Sequence, residues 1–256
     1  MRTNNETALL MSATLVIQSH RDPLPYKWLR RCLDSVASWA LDNQFEIRFL
    51  GDEVFNLIAP DLLEKIGAQT VIASDLARLK ILQQGLVEGY DRVIWCDADF
   101  LIFDPAQFLL PDSDFAVGRE IWVQRDNAAK LRTYNKVHNA FLMFRRGNHF
   151  LDFYCDTAER LLRLNRGRMA PQFIGPKLLT ALHNIIQCPV MEAAGMLSPL
   201  VMRDLIEGQG AALSLFRKQS PSVLAGANLS SSLTAREEFS EAEMEVLIHQ
   251  LINQGI

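Results

Sequence analysis

From residue 13 onward, short apolar runs alternate with stretches in which apolar residues recur every three or four positions, the pattern of a parallel sheet covered by helices. ATLVIQS predicts a first strand that stops at His20, Arg21, Asp22 and two prolines. A helix follows over about residues 26–41, with Leu29, Leu33, Val36 and Ala40 at core spacing. FEIRFLGD predicts the second strand, a short helix covers about 61–66, and AQTVIAS predicts a third strand. DLARLKILQQGLVEGY then places Leu79, Leu82 and Leu86 on one helical face and leads into VIWC, a run apolar enough for a strand buried on both sides.

The second half is less regular. DFAVGRE and HNAFLMFRRG predict further strands, and HFLDFYCDTAERLLRLNRG a long helix ended by Gly167. Gly175 and Pro176 open another helix, KLLTALHNI; a Gly/Ser-rich stretch, PSVLAGANLSSSLTA, follows PVMEAAGML and PLVMRDLI. The chain closes on a helix announced by a capping box, Ser240 with Glu243, and striped by Met244, Leu247, Ile248 and Leu251. The expected architecture is a single α/β domain, a mixed and mainly parallel sheet flanked by helices, with a helical appendage over 233–256.

Two aspartates interrupt the most apolar stretch. Val93, Ile94, Trp95 and Cys96 precede Asp97-Ala98-Asp99, and Phe100, Leu101, Ile102 and Phe103 follow it. In an extended chain the two carboxylates share one side. Burying them unpaired costs several kcal/mol, so they belong at a strand end that opens on a crevice, where sheets of this kind collect ligands. The bare spacing is weak: with 16 Asp in 256 residues, chance gives about one such match. Asp112-Ser113-Asp114, after a proline, reads as turn chemistry, and turn capping is also the bland reading of the first pair. Its functional reading is a Mg2+ or Mn2+ site completed by water and phosphate oxygens.

A chain of 256 residues, 49% hydrophobic, can bury a large core. A net charge of −4 and a pI near 5.8 argue against a grip on nucleic acid or anionic lipid. The four cysteines, Cys32, Cys96, Cys155 and Cys188, form no CxxC pair, which makes a reduced, cytoplasmic protein the default. ALLMSATLVI is too short to span a bilayer, and Glu6 spoils the basic start of a signal peptide.

Four segments over roughly residues 70–232 together resemble the nucleotide-sugar glycosyltransferases of the GT-A fold. The likeness is to the DxD-containing sugar-binding families, initiating mannosyltransferases and capsular sugar transferases, with glycogenin-type features. SDLARLKIL resembles the segment whose Asp and Arg, here Asp75 and Arg78, lie against the donor. VIWCDADFLIF is similar to the metal motif, VHNAFLMFRRGNHFLDFYCDTAERLL to the strand that sets Asn139 and Ala140 near the sugar, and IGPKLLT to a Gly-Pro helix start beside the active site.

The resemblance implies a nucleotide-binding half over 1–118, an acceptor half over 119–232, and transfer of a sugar from a nucleoside diphosphate sugar with retention at the anomeric carbon. It assigns Mn2+ (or Mg2+) to Asp97 and Asp99, the donor to Asp75, Arg78, Asp97, Asn139, Ala140, Gly175, Pro176 and Lys177, and positive charge at the diphosphate to Arg78 or Lys177. Acceptor contacts are expected in 120–138 and 192–232, for a glycan, lipid-linked or protein acceptor; apolar MLSPLVM suits peripheral contact with a lipid-linked acceptor, another subunit or the core. Where some relatives carry a metal-binding His this chain reads GANLSSS, so the Asn228 carbonyl is the expected third ligand.

Each match has a bland reading. Asp75 after Ser74 suits a helix cap, Arg78 a surface pair with it, and Asn139 a turn. A nucleotidyltransferase would need a Gly-rich loop after the first strand, whereas the chain offers QSHRDPLPYK. An aspartyl-phosphate phosphatase would carry its DxD near the N-terminus. The serious rival is a catalytically silent GT-A domain that binds a sugar nucleotide or a partner protein.

Overall fold

The computed structural model describes residues 13–256; the first part of ALLMSATLVI lies outside them. The chain opens with β1 (Thr14–Ser19), α1 (Trp28–Asp42), β2 (Glu46–Leu50), a 3-10 turn over Asp52–Leu57, α2 (Pro60–Ile66) and α3 (Thr70–Glu88). Then come β3 (Arg92–Cys96), β4 (Phe100–Ile102), β5 (Phe115–Arg125), β6 (Leu131–Arg145), α4 (His149–Leu164) and α5 (Pro176–Ile186). The remainder holds β7 (Val190–Met191), β8 (Ala194–Met196), α6 (Pro199–Ile206), α7 (Ala211–Gln219), β9 (Gly226–Asn228), α8 (Ser232–Ala235) and α9 (Glu241–Gln254).

The main sheet runs β2-β1-β3-β6-β5-β7. β1 pairs in parallel with β2 and β3, and β5 with β7, while β6 is antiparallel to β3 and β5. The fold is therefore α/β with a mixed sheet, parallel at three of its five pairings. A smaller sheet, β4-β9-β8, stands beside it. Its β9 strand, with α8, lies inside the stretch expected to be an irregular Gly/Ser-rich segment.

AQTVIAS is not a strand. Residues 70–88 form one continuous helix, α3, that stops at Gly89 with φ 110, a left-handed value that glycine takes without strain. Short apolar runs do not distinguish a buried helix from a strand, and α3 is buried nearly all round its first half: Ile72, Ala73, Asp75, Leu76, Ala77, Arg78 and Leu79 are all inside. Near its end Gly85 lies against β3, where a Cβ would come 2.8 Å from Val93. The long helix α4 likewise ends at Leu164, before Gly167, and starts on Asn148, whose side chain accepts from the Phe150 and Leu151 amides.

Three apolar clusters hold these layers. One joins α2, α3, α4 and α5 to a face of the main sheet through Leu76, Leu82, Val93, Leu142, Phe144 and Tyr154. A second packs the far half of α1 with Phe100, Phe108 and Phe141, and the Trp39 indole donates to the Phe108 carbonyl at 3.1 Å. The third joins Trp28 and Leu29 of α1 to α6, α7 and α9. There the stripe Met244, Leu247, Ile248 and Leu251 is fully buried, and the Ser240–Glu243 capping box forms in both directions. Among the described residues no helix is long and apolar enough to cross a membrane.

Candidate functional site

The two aspartates do not lie in an extended strand. β3 ends at Cys96, and the Phe100 amide donates to the Asp97 carbonyl at 2.9 Å, closing a tight turn before β4. The turn is pinned to its neighbours: the Asp97 amide donates to the Ala140 carbonyl on β6 at 2.9 Å, and the Gln18 side chain of β1 donates to the Asp97 carbonyl at 3.3 Å. It sits just past the carboxyl ends of β1 and β3, as expected for a ligand crevice.

Arg78 stands at the centre of the side chains gathered there. Its guanidinium lies 3.2 Å from Asp97 Oδ1 and 3.6 Å from Asp75 Oδ1, donates to the Asn139 carbonyl at 2.7 Å, and stacks over the Trp95 ring at 5.2 Å. The Trp95 indole donates to Asp97 Oδ1 at 2.6 Å, and the Asn139 amide donates to Asp75 Oδ1 at 2.8 Å. Asp75 is thus neither a helix cap nor a surface acid but is buried on α3 beyond its first turn, and Asn139 is within a strand. Gly175, just ahead of α5, packs onto Asp75 so closely that a Cβ there would fall 2.2 Å from Asp75 Oδ2. Five residues from four distant segments form one network: Asp75, Arg78, Asp97, Asn139 and Gly175.

The charges are out of balance inside it. Burial pushes the Asp97 carboxyl up to about 6, with Arg78 opposing and Asp99 reinforcing the rise. Burial also raises Asp75, against Arg78 and the Asn139 hydrogen bond. Burial pulls the Arg78 guanidinium down, but Asp97 and Asp75 outweigh it and leave the group above its ordinary value. One buried cation therefore serves two carboxylates, Asp75 inside the protein and Asp97 at the cavity wall, with Asp99 close by.

Asp99 is held from the small sheet. Its Oδ1 accepts from Asn228 Nδ2 at 2.5 Å, and its Oδ2 from the Ser231 amide at 2.7 Å. Asn228 Oδ1 accepts from the Ser230 amide at 2.9 Å, and from the Ser230 hydroxyl at 3.2 Å. The expectation that the Asn228 carbonyl faces the aspartates is corrected here: the Ser230 amide claims that oxygen, and Asn228 meets Asp99 with its NH2.

Arg78, Trp95, Asp97 and Asp99 line a cavity of about 200 Å3 with Ser19, His20 and Ser231. A second cavity of about 350 Å3 shares Ser19, His20, Ser74 and Ser231 with it and adds Tyr26, Phe55 and Thr70. The result is a charged recess that continues into a partly aromatic one. The sequence reading missed Ser19, His20, Tyr26, Phe55, Trp95 and Ser231 as lining residues. His20 alone had a signal, its place directly after the first strand.

Pro176 and Lys177 do not join the aspartates. They line a separate cavity of about 220 Å3 with Glu120, Lys136, Gln172 and Thr180, so the expected positive charge beside Arg78 does not come from Lys177. Ala140 contributes its backbone, since its carbonyl pins the Asp97 turn and its amide donates to His138 Nδ1 at 3.1 Å. His138 is fully buried, its Nε2 3.2 Å from the Ala194 carbonyl. An amide donating to Nδ1 fixes the proton on Nε2, and burial pushes this ring down to about 4.

For a divalent cation the donor chemistry fits two side chains and not the third. Asp97 and Asp99 line one cavity, and Asp97 Oδ2 accepts no hydrogen bond from the described residues. Mg2+ and Mn2+ are commonly held by one or two carboxylates with water and phosphate oxygens. Asn228 presents hydrogens, and among the described residues no group of three or more His, Cys, Asp or Glu side chains gathers to hold a metal.

No family model matches the chain, and no curated protein does. Among solved structures it is similar to a glycosyltransferase involved in the glycosylation of the major capsid of PBCV-1, with TM-score 0.49 and 9% identity over 92% of this chain and 98% of the other. It is also similar to the galactosyltransferase LgtC in complex with donor and acceptor sugar analogs, with TM-score 0.47 and 13% identity over 92% and 95%. A third likeness is to 4-diphosphocytidyl-2C-methyl-D-erythritol synthase from Anaerococcus prevotii DSM 20548, with TM-score 0.38 and 14% identity over 70% and 86%. At these scores and identities none of them speaks to what this chain does.

Proposed function

We propose that this chain is a GT-A-type glycosyltransferase that moves a sugar from a nucleoside diphosphate sugar to a hydroxyl group of an acceptor, with retention at the anomeric carbon. The observation that carries the reading is the network Asp75–Arg78–Asp97–Asn139, which opens with Asp99 onto a crevice at the carboxyl ends of β1 and β3. A nucleoside diphosphate needs positive charge for its phosphates, hydroxyl partners for its ribose and an aromatic surface for its base. Arg78, together with the divalent cation that Asp97 and Asp99 would hold, offers the first, Ser19, Ser74 and Ser231 the second, and Tyr26 and Phe55 the third.

In the reaction the bond from the anomeric carbon to the diphosphate oxygen breaks and a bond to the acceptor oxygen forms. The acceptor's proton leaves with the diphosphate. Arg78, fixed by three partners before substrate arrives, needs no reorganisation to stabilise charge that develops on the leaving group. Asp75 and Asn139 act as positioning residues, because their contacts aim the guanidinium. Asp97 and Asp99 are the side chains that would hold Mn2+ or Mg2+, which when bound supplies further charge neutralisation at the diphosphate. The acceptor is a glycan, a lipid-linked sugar or a protein.

Melting temperatures of the full chain with nucleoside diphosphates and their sugars, with and without Mn2+, test the reading directly. A cognate donor at a hundredfold excess over its Kd adds about 2.7 kcal/mol, a rise of about 5–10 °C for a chain of this size. Hydrolysis of that donor should follow, and Asp99→Ala should slow it about a hundredfold or more. A second reading, a silent domain that binds the nucleotide without turnover, is favoured by one observation: both Asp99 oxygens already accept protein hydrogen bonds. A melting shift with no hydrolysis would select it.

A further inference from the structure

The antiparallel pairing of β5 with β6 breaks once. Val117 lies opposite Leu142, and the next residue, Gly118, lies opposite His138. Asn139, Ala140 and Phe141 therefore form a bulge that β5 does not match, although Phe141 still pairs with Cys96 on β3. A bulge gives up ladder hydrogen bonds, bends its strand and re-aims the side chains it carries. This one carries much of the proposed site. The Asn139 carbonyl accepts from Arg78 at 2.7 Å, the Asn139 side-chain amide donates to Asp75 at 2.8 Å, and the Ala140 carbonyl accepts from the Asp97 amide at 2.9 Å.

His138 stands at the foot of the bulge and is bonded on both ring nitrogens. Nδ1 accepts from the Ala140 amide at 3.1 Å, which gives a partner to a buried donor inside the bulge, and Nε2–H donates to the Ala194 carbonyl on β8 at 3.2 Å. Gly118 makes room for the ring: a Cβ there would fall 2.1 Å from His138 Cε1 and 2.3 Å from Nε2, so the imidazole fills the space a side chain would take. Burial, with the charges of Arg78 and Arg119, keeps the ring neutral against the pull of the Ala194 carbonyl. Only a neutral ring accepts on one nitrogen while donating from the other. β8 in turn pairs with β9, where Met196 lies opposite Asn228, and Asn228 donates to Asp99. His138 thus joins the strand that fixes Asp97 to the small sheet that fixes Asp99.

We propose that His138 is a positioning residue of the nucleotide site: by bridging Ala140 and Ala194, its imidazole fixes the bulge that aims Arg78 and sets Asp97 and Asp99 relative to each other. Its effect on donor binding rests on the glycosyltransferase reading, whereas its effect on the bulge does not. A histidine that merely filled space would give way to leucine with a loss of stability and nothing more. One that acts through Nδ1 obeys a different rule. Asparagine carries an acceptor oxygen as far from the backbone as Nδ1, so it can take the Ala140 amide, but it does not reach as far as Nε2 toward Ala194.

Amide hydrogen exchange followed by NMR on the full chain tests this without any ligand, in His138→Leu, His138→Asn and Gly118→Ala. In His138→Leu and Gly118→Ala the Asp97 amide should exchange about tenfold or more faster relative to the amides of β1, which report opening of the sheet as a whole. The Trp95 indole N–H, which donates to Asp97, should shift its resonance in the same variants. His138→Asn should be less stable than the parent and yet keep the Asp97 amide protected. Melting curves establish that each variant is folded; should His138→Leu fail to fold, Gly118→Ala, which displaces the ring with its nitrogens intact, carries the test. If the folded variants leave the Asp97 amide and the Trp95 indole as in the parent, or if asparagine loses the protection as leucine does, the proposal is wrong. Nucleotide-sugar melting shifts are read separately. Where the parent shows one, His138→Leu or Gly118→Ala should need about tenfold more nucleotide to match it, and an unchanged requirement refutes the positioning role at the nucleotide site. No shift in the parent refutes the transferase reading, and the exchange rates still decide whether His138 fixes the bulge.

Discussion

Arg78 decides most of what happens at the site. It is one cation inside the protein with two carboxylates and a backbone carbonyl depending on it. Arg78→Met would leave Asp75 buried without a counter-charge and Asp97 unpaired at the cavity wall, so a loss of about 3–5 kcal/mol is expected in urea unfolding. His138 sets a pH dependence. Its folded pKa, about 4, lies below that of an unfolded histidine, so between about 6.5 and 4 the unfolded chain takes up a proton that the fold refuses. That contribution to stability is complete above pH 6.5 and is lost as pH falls toward 4. Asp97 works the other way over a similar range, since its carboxyl, pushed up to about 6, makes the fold relatively less stable as pH rises from about 4 to 6. The wild-type profile therefore mixes the two. The difference between His138→Gln and wild type should isolate the histidine, with the variant gaining on wild type by up to about 3 kcal/mol as pH falls from 6.5 to 4. Unfolding curves at matched pH check it. Asp97 and Asp99 were legible in the sequence because charges inside an apolar run must have a reason. The roles of Trp95, Ser231 and His138 were not, because each is defined by a partner on another segment.

At the scale of elements, helices meet where one residue has no side chain. Gly175 touches Asp75 across the junction of α3 and α5, and a methyl group there would overlap a carboxylate that Asn139 already fixes. Gly175→Ala should cost about 1–3 kcal/mol and should weaken nucleotide binding along with stability, which melting curves with and without nucleotide separate. α9 makes a contrast. Its capping box was visible as Ser240 and Glu243, and it forms; Ser240→Ala should cost about 1 kcal/mol and leave nucleotide binding unchanged. Helix α9 could be read ahead because its stripe repeats at helical spacing and its cap is local. The first half of α3 could not, because AQTVIAS is too short a run for periodicity to assign it to helix or strand, and the helix it opens is buried on several faces from Ile72 to Leu79.

At the scale of the molecule, the crevice exists because β1 and β3 lie side by side and end together, while the small sheet brings Asn228 and Ser231 up to Asp99 from more than a hundred residues away. A nucleotide held across that junction should tie the two sheets together, so its effect is expected as a single, cooperative rise in melting temperature and not as protection of one half. Hydrogen exchange with and without the nucleotide checks this by whether β4 and β9 slow together with β3. By itself, the sequence determined the alternation of strands and helices, the buried stripes, the terminal cap and the presence of two charges that had to face a cavity. These follow from periodicity and from the cost of burying charge, which are properties of neighbouring residues. Only the tertiary structure decided which segments meet: that Arg78 lies between Asp75 and Asp97, that Asn228 gives Asp99 a hydrogen instead of an oxygen, and that Lys177 belongs to a different cavity. The physical reason is that a hydrogen bond or an ion pair is fixed by position within a few ångströms, and the separation of two residues along the chain does not encode it.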